Sequence, residues 1–225
     1  MKKLLFAALF AVMPSIAYAQ NAYVEGSVGF VLFPDIQSKN YVIDTNGVAP
    51  GGVFAGNAET DYGGNWGAGL EVGYQTGPWR FGVSWDWIDA EVDHARLEGT
   101  LDGAPFSAEV SDQQLANYGI GANNSVNVFA VNAYYVFNSF NLGTAISGLQ
   151  PYAGIGLGAA TINNASTEFA FTATLGADYS FSGGFYLGAR YRLNLISAPT
   201  TDGGVKLDSI TAHIFSIVLG YRFPV

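Results

Sequence analysis

Cysteine is absent from the 225 residues, so there is no disulfide framework and no thiol chemistry. Methionine is nearly absent, and the two that occur, Met1 and Met13, both fall in the first 19 residues. Charge is scarce, at 12% of residues, and one sign dominates: nine Lys and Arg stand against eighteen Asp and Glu. A chain this acidic is a poor match for nucleic acid, whose phosphates are bound through Lys and Arg, so no nucleic-acid partner is expected. After the first segment, no apolar run reaches the roughly 18 residues that a transmembrane helix needs. Against these absences, 49% of the chain is hydrophobic and 15% aromatic. High apolar content without a spanning helix fits a membrane β-barrel, where apolar residues occupy alternate positions. A secreted β-sandwich is the competing class.

Residues 1–19 read as a secretory signal. Lys2 and Lys3 form a positive start, Leu4 to Val12 an apolar run, and Ala17-Tyr18-Ala19 a small-residue cleavage site. Cleavage after Ala19 is expected, leaving a mature chain from Gln20. That removes two of the nine bases and no acid, so seven bases face eighteen acids, a net charge of −11.

The clearest alternation runs from Asn65 to Trp87. Trp66, Ala68, Leu70, Val72 and Tyr74 share one parity, and Gly67, Gly69, Glu71 and Gly73 the other. After Gly77-Pro78, Trp79, Phe81, Val83, Trp85 and Trp87 alternate with Arg80, Gly82, Ser84 and Asp86. Period-two patterning of this kind specifies strands with two unlike faces, and the Gly-Pro punctuation a tight hairpin. Arms of about ten residues are long enough for tilted strands to cross a bilayer. The aromatics Trp66, Tyr74, Trp79, Trp85 and Trp87 sit where such strands meet the membrane interfaces. The same reading yields eight strands, at about 22–33, 65–75, 79–93, 125–138, 150–161, 167–181, 185–197 and 209–223.

The connections alternate in length. Long surface loops are expected at about 34–64 and 94–124, with shorter links at 162–166 and 198–208 on the same side. The other side has 76–78, 139–149 and 182–184. Short periplasmic turns and longer extracellular loops characterise outer-membrane barrels. Within the second long loop, residues 97–110 alternate weakly around Asp102-Gly103, a hairpin dipeptide that would extend the sheet beyond the membrane. The expected fold is all-β: an eight-stranded antiparallel up-and-down transmembrane β-barrel spanning 20–225.

On the lumen parity lie Glu25, Glu71, Asp86 and Asp178 with Arg80, Arg190, Arg192 and Arg222. Eight strands enclose an interior only wide enough for side chains, and charges there must be paired. A balanced charge network closing the lumen is expected; an ion path is the alternative. Lumen glycines, among them Gly154, Gly156 and Gly158, make room for the long side chains. These three also match a dinucleotide fingerprint, but they alternate with Ile155 and Leu157 inside a strand and no helix follows, so no cofactor is expected.

Little else carries chemistry. His213 shares parity with Phe215 and would face lipid near the outer rim, with Asp208, Ser209 and Thr211 as the nearest catalytic partners. His94 has no partner at metal-ligand spacing. Asp89, Glu91 and Asp93 could hold a divalent cation beside lipopolysaccharide phosphates or form a solvated strand end. The loop aromatics Tyr41, Phe54, Tyr62, Phe106 and Tyr118 are candidate partner contacts, for a ligand they do not name.

The hairpin Gly67-x-Gly69-x-x-x-Gly73-Tyr74 with Arg80 resembles the second-to-third strand hairpin of the OmpA-like and opacity-protein family of outer-membrane β-barrels. Gln150-Pro151-Tyr152-Ala153-Gly154-Ile155-Gly156-Leu157-Gly158 resembles its fifth strand. Leu175-Gly176-Ala177-Asp178-Tyr179, Gly188-Ala189-Arg190-Tyr191-Arg192 and Gly220-Tyr221-Arg222-Phe223 are similar to its sixth, seventh and closing strands. The resemblance implies a barrel inserted by the outer-membrane assembly machinery, which reads an aromatic last strand. Here Phe215, Ile217, Leu219, Tyr221 and Phe223 form that signal, followed by an uncharacteristic Pro224-Val225. The expectation is a monomeric, non-enzymatic bacterial outer-membrane protein, in contact with outer-membrane lipid and lipopolysaccharide, that supports the envelope and displays surface loops for adhesion or host interaction. The alternatives are a small-solute porin and a lipid A-modifying enzyme.

Overall fold

The computed structural model describes residues 22–34, 36–44, 53–62, 65–111, 123–138, 140–141, 147–163, 166–199 and 208–223. In chain order these form β1 (Ala22–Leu32), β2 (Ile36–Asp44), β3 (Val53–Tyr62), β4 (Asn65–Thr76), β5 (Trp79–Leu101), β6 (Ala104–Ser111), β7 (Asn123–Val136), β8 (Phe140–Asn141), β9 (Ser147–Ile162), β10 (Thr167–Ser180), β11 (Phe185–Ile196) and β12 (Ile210–Arg222). The signal segment with its cleavage site, Tyr118 and Pro224-Val225 lie outside the described residues.

Eight strands close into an antiparallel barrel in the order β1-β4-β5-β7-β9-β10-β11-β12. Closure comes from β1 pairing with β12, from Tyr23 opposite Arg222 to Leu32 opposite His213. Closing the sheet satisfies every strand edge within the membrane, where an unpaired backbone group has no water to turn to. The faces follow the sequence parity. Leu70, Val131, Ile155, Leu175, Ile217 and Leu219 point outward and are exposed, forming the apolar band that lipid covers. At the end shared by both termini, outward rings meet edge to face: Trp79 on Tyr135 at 5.3 Å, Tyr179 on Phe181 at 5.1 Å and Phe185 on Tyr221 at 4.9 Å. At the opposite end Trp66 faces outward, and Trp85 donates its indole N–H to Asn127 Oδ1 at 3.0 Å. The interface aromatics thus divide, with Tyr74 and Trp79 at the lower rim and Trp66, Trp85 and Trp87 toward the upper one.

One expectation needs correction. Residues 34–64 do not simply loop: they contain β2 and β3. These pair with each other, and β3 pairs with the upper half of β5, from Phe54 opposite Leu101 to Asp61 opposite His94. On the other side β5 pairs with β6. The 23-residue β5 therefore serves two sheets, its lower part in the barrel and its upper part in a four-stranded extension β2-β3-β5-β6 beyond it. The β5–β6 turn is the Asp102-Gly103 hairpin, with φ of 51° and 81°, the left-handed pair such turns require. Asp102 also pins β3: its N–H donates to Val53 O at 3.0 Å and its carboxylate accepts from Val53 N–H at 2.9 Å. The alternation of β2 and β3 is weak because neither strand crosses lipid, so no face had to be uniformly apolar. Their strand state comes from pairing with β5, a tertiary effect.

Candidate functional site

The lumen is where polar groups concentrate. All eight charged residues of the lumen parity point inward, from the end nearest the chain termini up to mid-height, where Asp86 and Arg192 stand opposite Val128 and Ile214 in register. Cross-strand register places Glu25 directly opposite Glu71. Like charges in that position repel, and two arginines resolve it. Arg190 pairs with Glu25 and reaches Glu71 Oε2 at 3.8 Å. Arg192 donates to Glu71 Oε2 at 3.0 Å and to Asp86 Oδ2 at 2.5 Å. The remaining lone pairs of Glu71 are taken by two phenols: Tyr23 donates to Oε1 at 2.6 Å and Tyr134 to Oε2 at 2.6 Å. Tyr186 donates to Glu25 Oε2 at 2.7 Å. Ser84 accepts from the Asn132 amide at 2.9 Å and from Arg192 at 3.3 Å. Thr172 donates to Asn132 Oδ1 at 3.1 Å.

Below this layer, Asp178 joins Arg80 at 2.8 Å and Arg222 at 2.9 Å. Arg222 also donates to Gln150 Oε1 at 3.0 Å and Ser180 Oγ at 2.9 Å. The guanidinium of Arg80 lies over Tyr152 at 4.9 Å and Tyr23 at 5.2 Å, and that of Arg222 over Tyr186 at 4.4 Å. Such cation–π stacking holds a desolvated charge without consuming hydrogen-bond partners. Arg80 and Arg192 are each only 1% exposed. Buried charge of this kind is tolerated only when paired and hydrogen-bonded.

Four residues central to this layer, Tyr23, Tyr134, Tyr152 and Tyr186, were not singled out by the sequence reading. Parity was the available signal, because Tyr23, Tyr152 and Tyr186 each share the inward side with a charged residue or glycine two positions away, and Tyr134 shares it with Asn132. The glycines explain how the rings fit. A Cβ at Gly220 would collide with the Tyr186 ring, and one at Gly176 with the Tyr152 ring.

The outer half of the lumen differs from expectation as well. Val31, Ile88, Val126, Val128, Ile196, Ile210 and Ile214, with Ala90, Ala160, Ala170 and Ala212, form one apolar cluster there, with Phe33 and Ile162 packed against it. The closure is thus a charged layer below an apolar one, not charge alone. Between them Asn194 is fully buried, and its amide bonds to no other protein group among the described residues.

Outside the lumen, Phe215, Ile217, Leu219, Tyr221 and Phe223 of the last strand occupy the outward face, the first three of them exposed. His213 is outward and half-buried. Its Nδ1 lies 2.8 Å from the Tyr191 hydroxyl, so its partner is a phenol and not Asp208, Ser209 or Thr211. Asp89 is half-buried on β5 beside Glu91 and Asp93, and among the described residues there is no group of three or more His, Cys, Asp and Glu arranged to hold a metal ion. Of the loop aromatics, Tyr41 lies on β2, Phe54 and Tyr62 on β3 and Phe106 on β6.

Comparison with solved structures returns outer-membrane barrels. Neisserial surface protein A is 15% identical with a TM-score of 0.49, over 91% of this chain and 98% of that one. OprG from Pseudomonas aeruginosa is 13% identical with a TM-score of 0.48, over 92% and 97%. The outer membrane enzyme PagL is 15% identical with a TM-score of 0.38, over 89% and 99%. No curated protein sequence matches the chain. The family model described as the outer membrane protein beta-barrel domain matches residues 4–223. With its closed eight-stranded sheet, outward apolar band and polar interior, the chain belongs to this family of bacterial outer-membrane β-barrels.

Proposed function

We infer that this protein is a non-enzymatic, monomeric structural component of the outer membrane that displays an extracellular sheet for contact with other cells or surfaces. The signal segment is removed after Ala19, and the aromatic last strand ending at Phe223 directs insertion by the assembly machinery. Lipid and lipopolysaccharide surround the outward band. The observation that carries the reading is the two-layer filling of the lumen. Eleven buried apolar residues lie above, and an interlocked Arg–carboxylate–Tyr network lies below. A solute moving through would have to break both layers at once. Display is supported by the four strands β2-β3-β5-β6 that stand beyond the membrane. The test is conductance of the refolded protein in a planar bilayer. Absence of stepwise current is expected, and reproducible unitary steps would replace this reading with that of a small-solute porin.

A further inference from the structure

Two hydrogen-bonded polar pairs lie on the outward face toward its upper rim. On one side of the barrel Trp85 donates to Asn127. Four strands away Tyr191 and His213 share a hydrogen bond of 2.8 Å, with their rings stacked at 6.0 Å and 27°. Tryptophan at a membrane interface is an ordinary anchor. A histidine–tyrosine pair is not. Its cross-strand neighbours are apolar: Leu32 and Leu193 lie opposite His213 in register, and Phe215 packs on Tyr191 at 5.0 Å.

The depth of the pair is set by β12. The lower interface is marked by Tyr221, which meets Phe185 and Phe223 edge to face. His213 lies eight residues further up the same strand. At about 3.3 Å per residue and a tilt of about 40°, this is roughly 20 Å of membrane height. The apolar band of such barrels is about 25 Å tall. The imidazole therefore lies in the last few ångströms of the band, where outer-leaflet headgroups begin.

The chemistry of the pair leaves a donor facing outward in either neutral arrangement. If the phenol donates to Nδ1, the imidazole proton sits on Nε2; if Nδ1–H donates to the phenol oxygen, the phenol proton is free to turn outward. A donor left at the edge of hydrocarbon without an acceptor is costly. Phosphate is the strongest acceptor at this depth, because its bonds are charge-assisted. The outer end of the protein offers it little else. The segments 33–64, 89–125, 163–168 and 197–209 carry fourteen acids against Lys39, Arg96 and Lys206. The nearest of these acids along the chain is the exposed Asp208, two residues before β12. Long-range attraction is therefore not what would hold the phosphate. The lipid's own acyl chains keep it at the surface, and the pair need only discriminate among headgroups.

We propose that Tyr191 and His213 form a lipid-facing hydrogen-bonding site for the phosphate of an outer-leaflet glycolipid. The test is retention of lipid by the folded protein. Protein reconstituted with equal amounts of lipid A bearing or lacking its phosphates is extracted in mild detergent, and the retained lipid is measured by mass spectrometry. Wild type should keep the phosphorylated form at least fivefold over the other. Tyr191→Phe and His213→Phe should each bring that ratio to about one, while Asn127→Leu, which removes the pair on the far side, should leave it unchanged. Folding is checked by the mobility shift of unboiled samples; if His213→Phe does not fold, Tyr191→Phe, which keeps the ring, decides. An undiminished preference in Tyr191→Phe would overturn the proposal. So would a shift of the His213 ring resonances by inorganic phosphate equal to that produced by phosphorylated lipid A, because the site would then not be specific for a lipid.

Discussion

The two halves of the lumen solve the same problem with opposite chemistry. Both must fill a narrow cylinder whose outer wall is in lipid. The lower half uses four arginines, four carboxylates and four tyrosines, each holding the others in place. The upper half uses valine, isoleucine and alanine, which need no partners. A charged layer depends on every member, since removing one leaves a buried charge uncompensated. An apolar layer degrades gradually, because a missing methyl group costs only its transfer energy and a small void. The difference teaches that specificity of register is concentrated below, while the upper layer supplies bulk and excludes water. The Glu25–Glu71 juxtaposition makes the point. Only a register that brings Arg190 and Arg192 across the barrel makes it tolerable.

Four substitutions probe that contrast, each read from urea titrations of the protein in lipid, with folded and unfolded bands separated on unboiled gels. The largest loss is expected at Arg192→Met, which strands Asp86 and Glu71; it should cost about 3–5 kcal/mol. A cost below that of a methyl deletion in the apolar layer would mean the lower layer is not a cooperative network. Gly220→Ala comes next, because the added carbon must push the Tyr186 ring off Arg222 and Glu25. Overpacking of this kind costs about 1–3 kcal/mol, and Tyr186→Ala in the same chain should recover part of it. Ile88→Val, in the upper layer, should lose only about 1 kcal/mol; a loss equal to that of Arg192→Met would erase the proposed difference between the layers. Asn194→Leu is expected to act in the other direction. Its amide bonds to no other protein group among the described residues. Extending the apolar layer downward by one residue should therefore stabilise the barrel by about 1 kcal/mol. Destabilisation there would assign Asn194 a polar role of its own.

Much of this was legible in the chain, for a physical reason. A membrane strand has lipid on one side, so its outward residues must be apolar along the whole span, and period-two patterning follows directly. That is why the hairpin around Gly77-Pro78 could be read with its faces and its turn, although β5 runs on to Leu101, past the expected end at about 93. The eight lumen charges were legible because a charge on the inward parity of so small a barrel has nowhere else to go. The lumen tyrosines were harder to read. A tyrosine serves equally at an interface, where Tyr74 and Tyr135 stand, and in a polar core, where Tyr23 and Tyr134 stand. The apolar upper layer was obscured for the converse reason: strands with valine or isoleucine on both parities lose their contrast.

Patterning along the chain alone set the class of fold, the eight spans and the inward charges, because the membrane imposes a one-dimensional rule on each strand separately. The tertiary structure alone decided three things: which arginine meets which carboxylate, the strand state of β2 and β3, and the meeting of Tyr191 with His213 across β11 and β12. All three depend on register between strands, the first between strands distant in the chain and the third across consecutive ones. Register is set by closure of the whole barrel, and no local pattern encodes it.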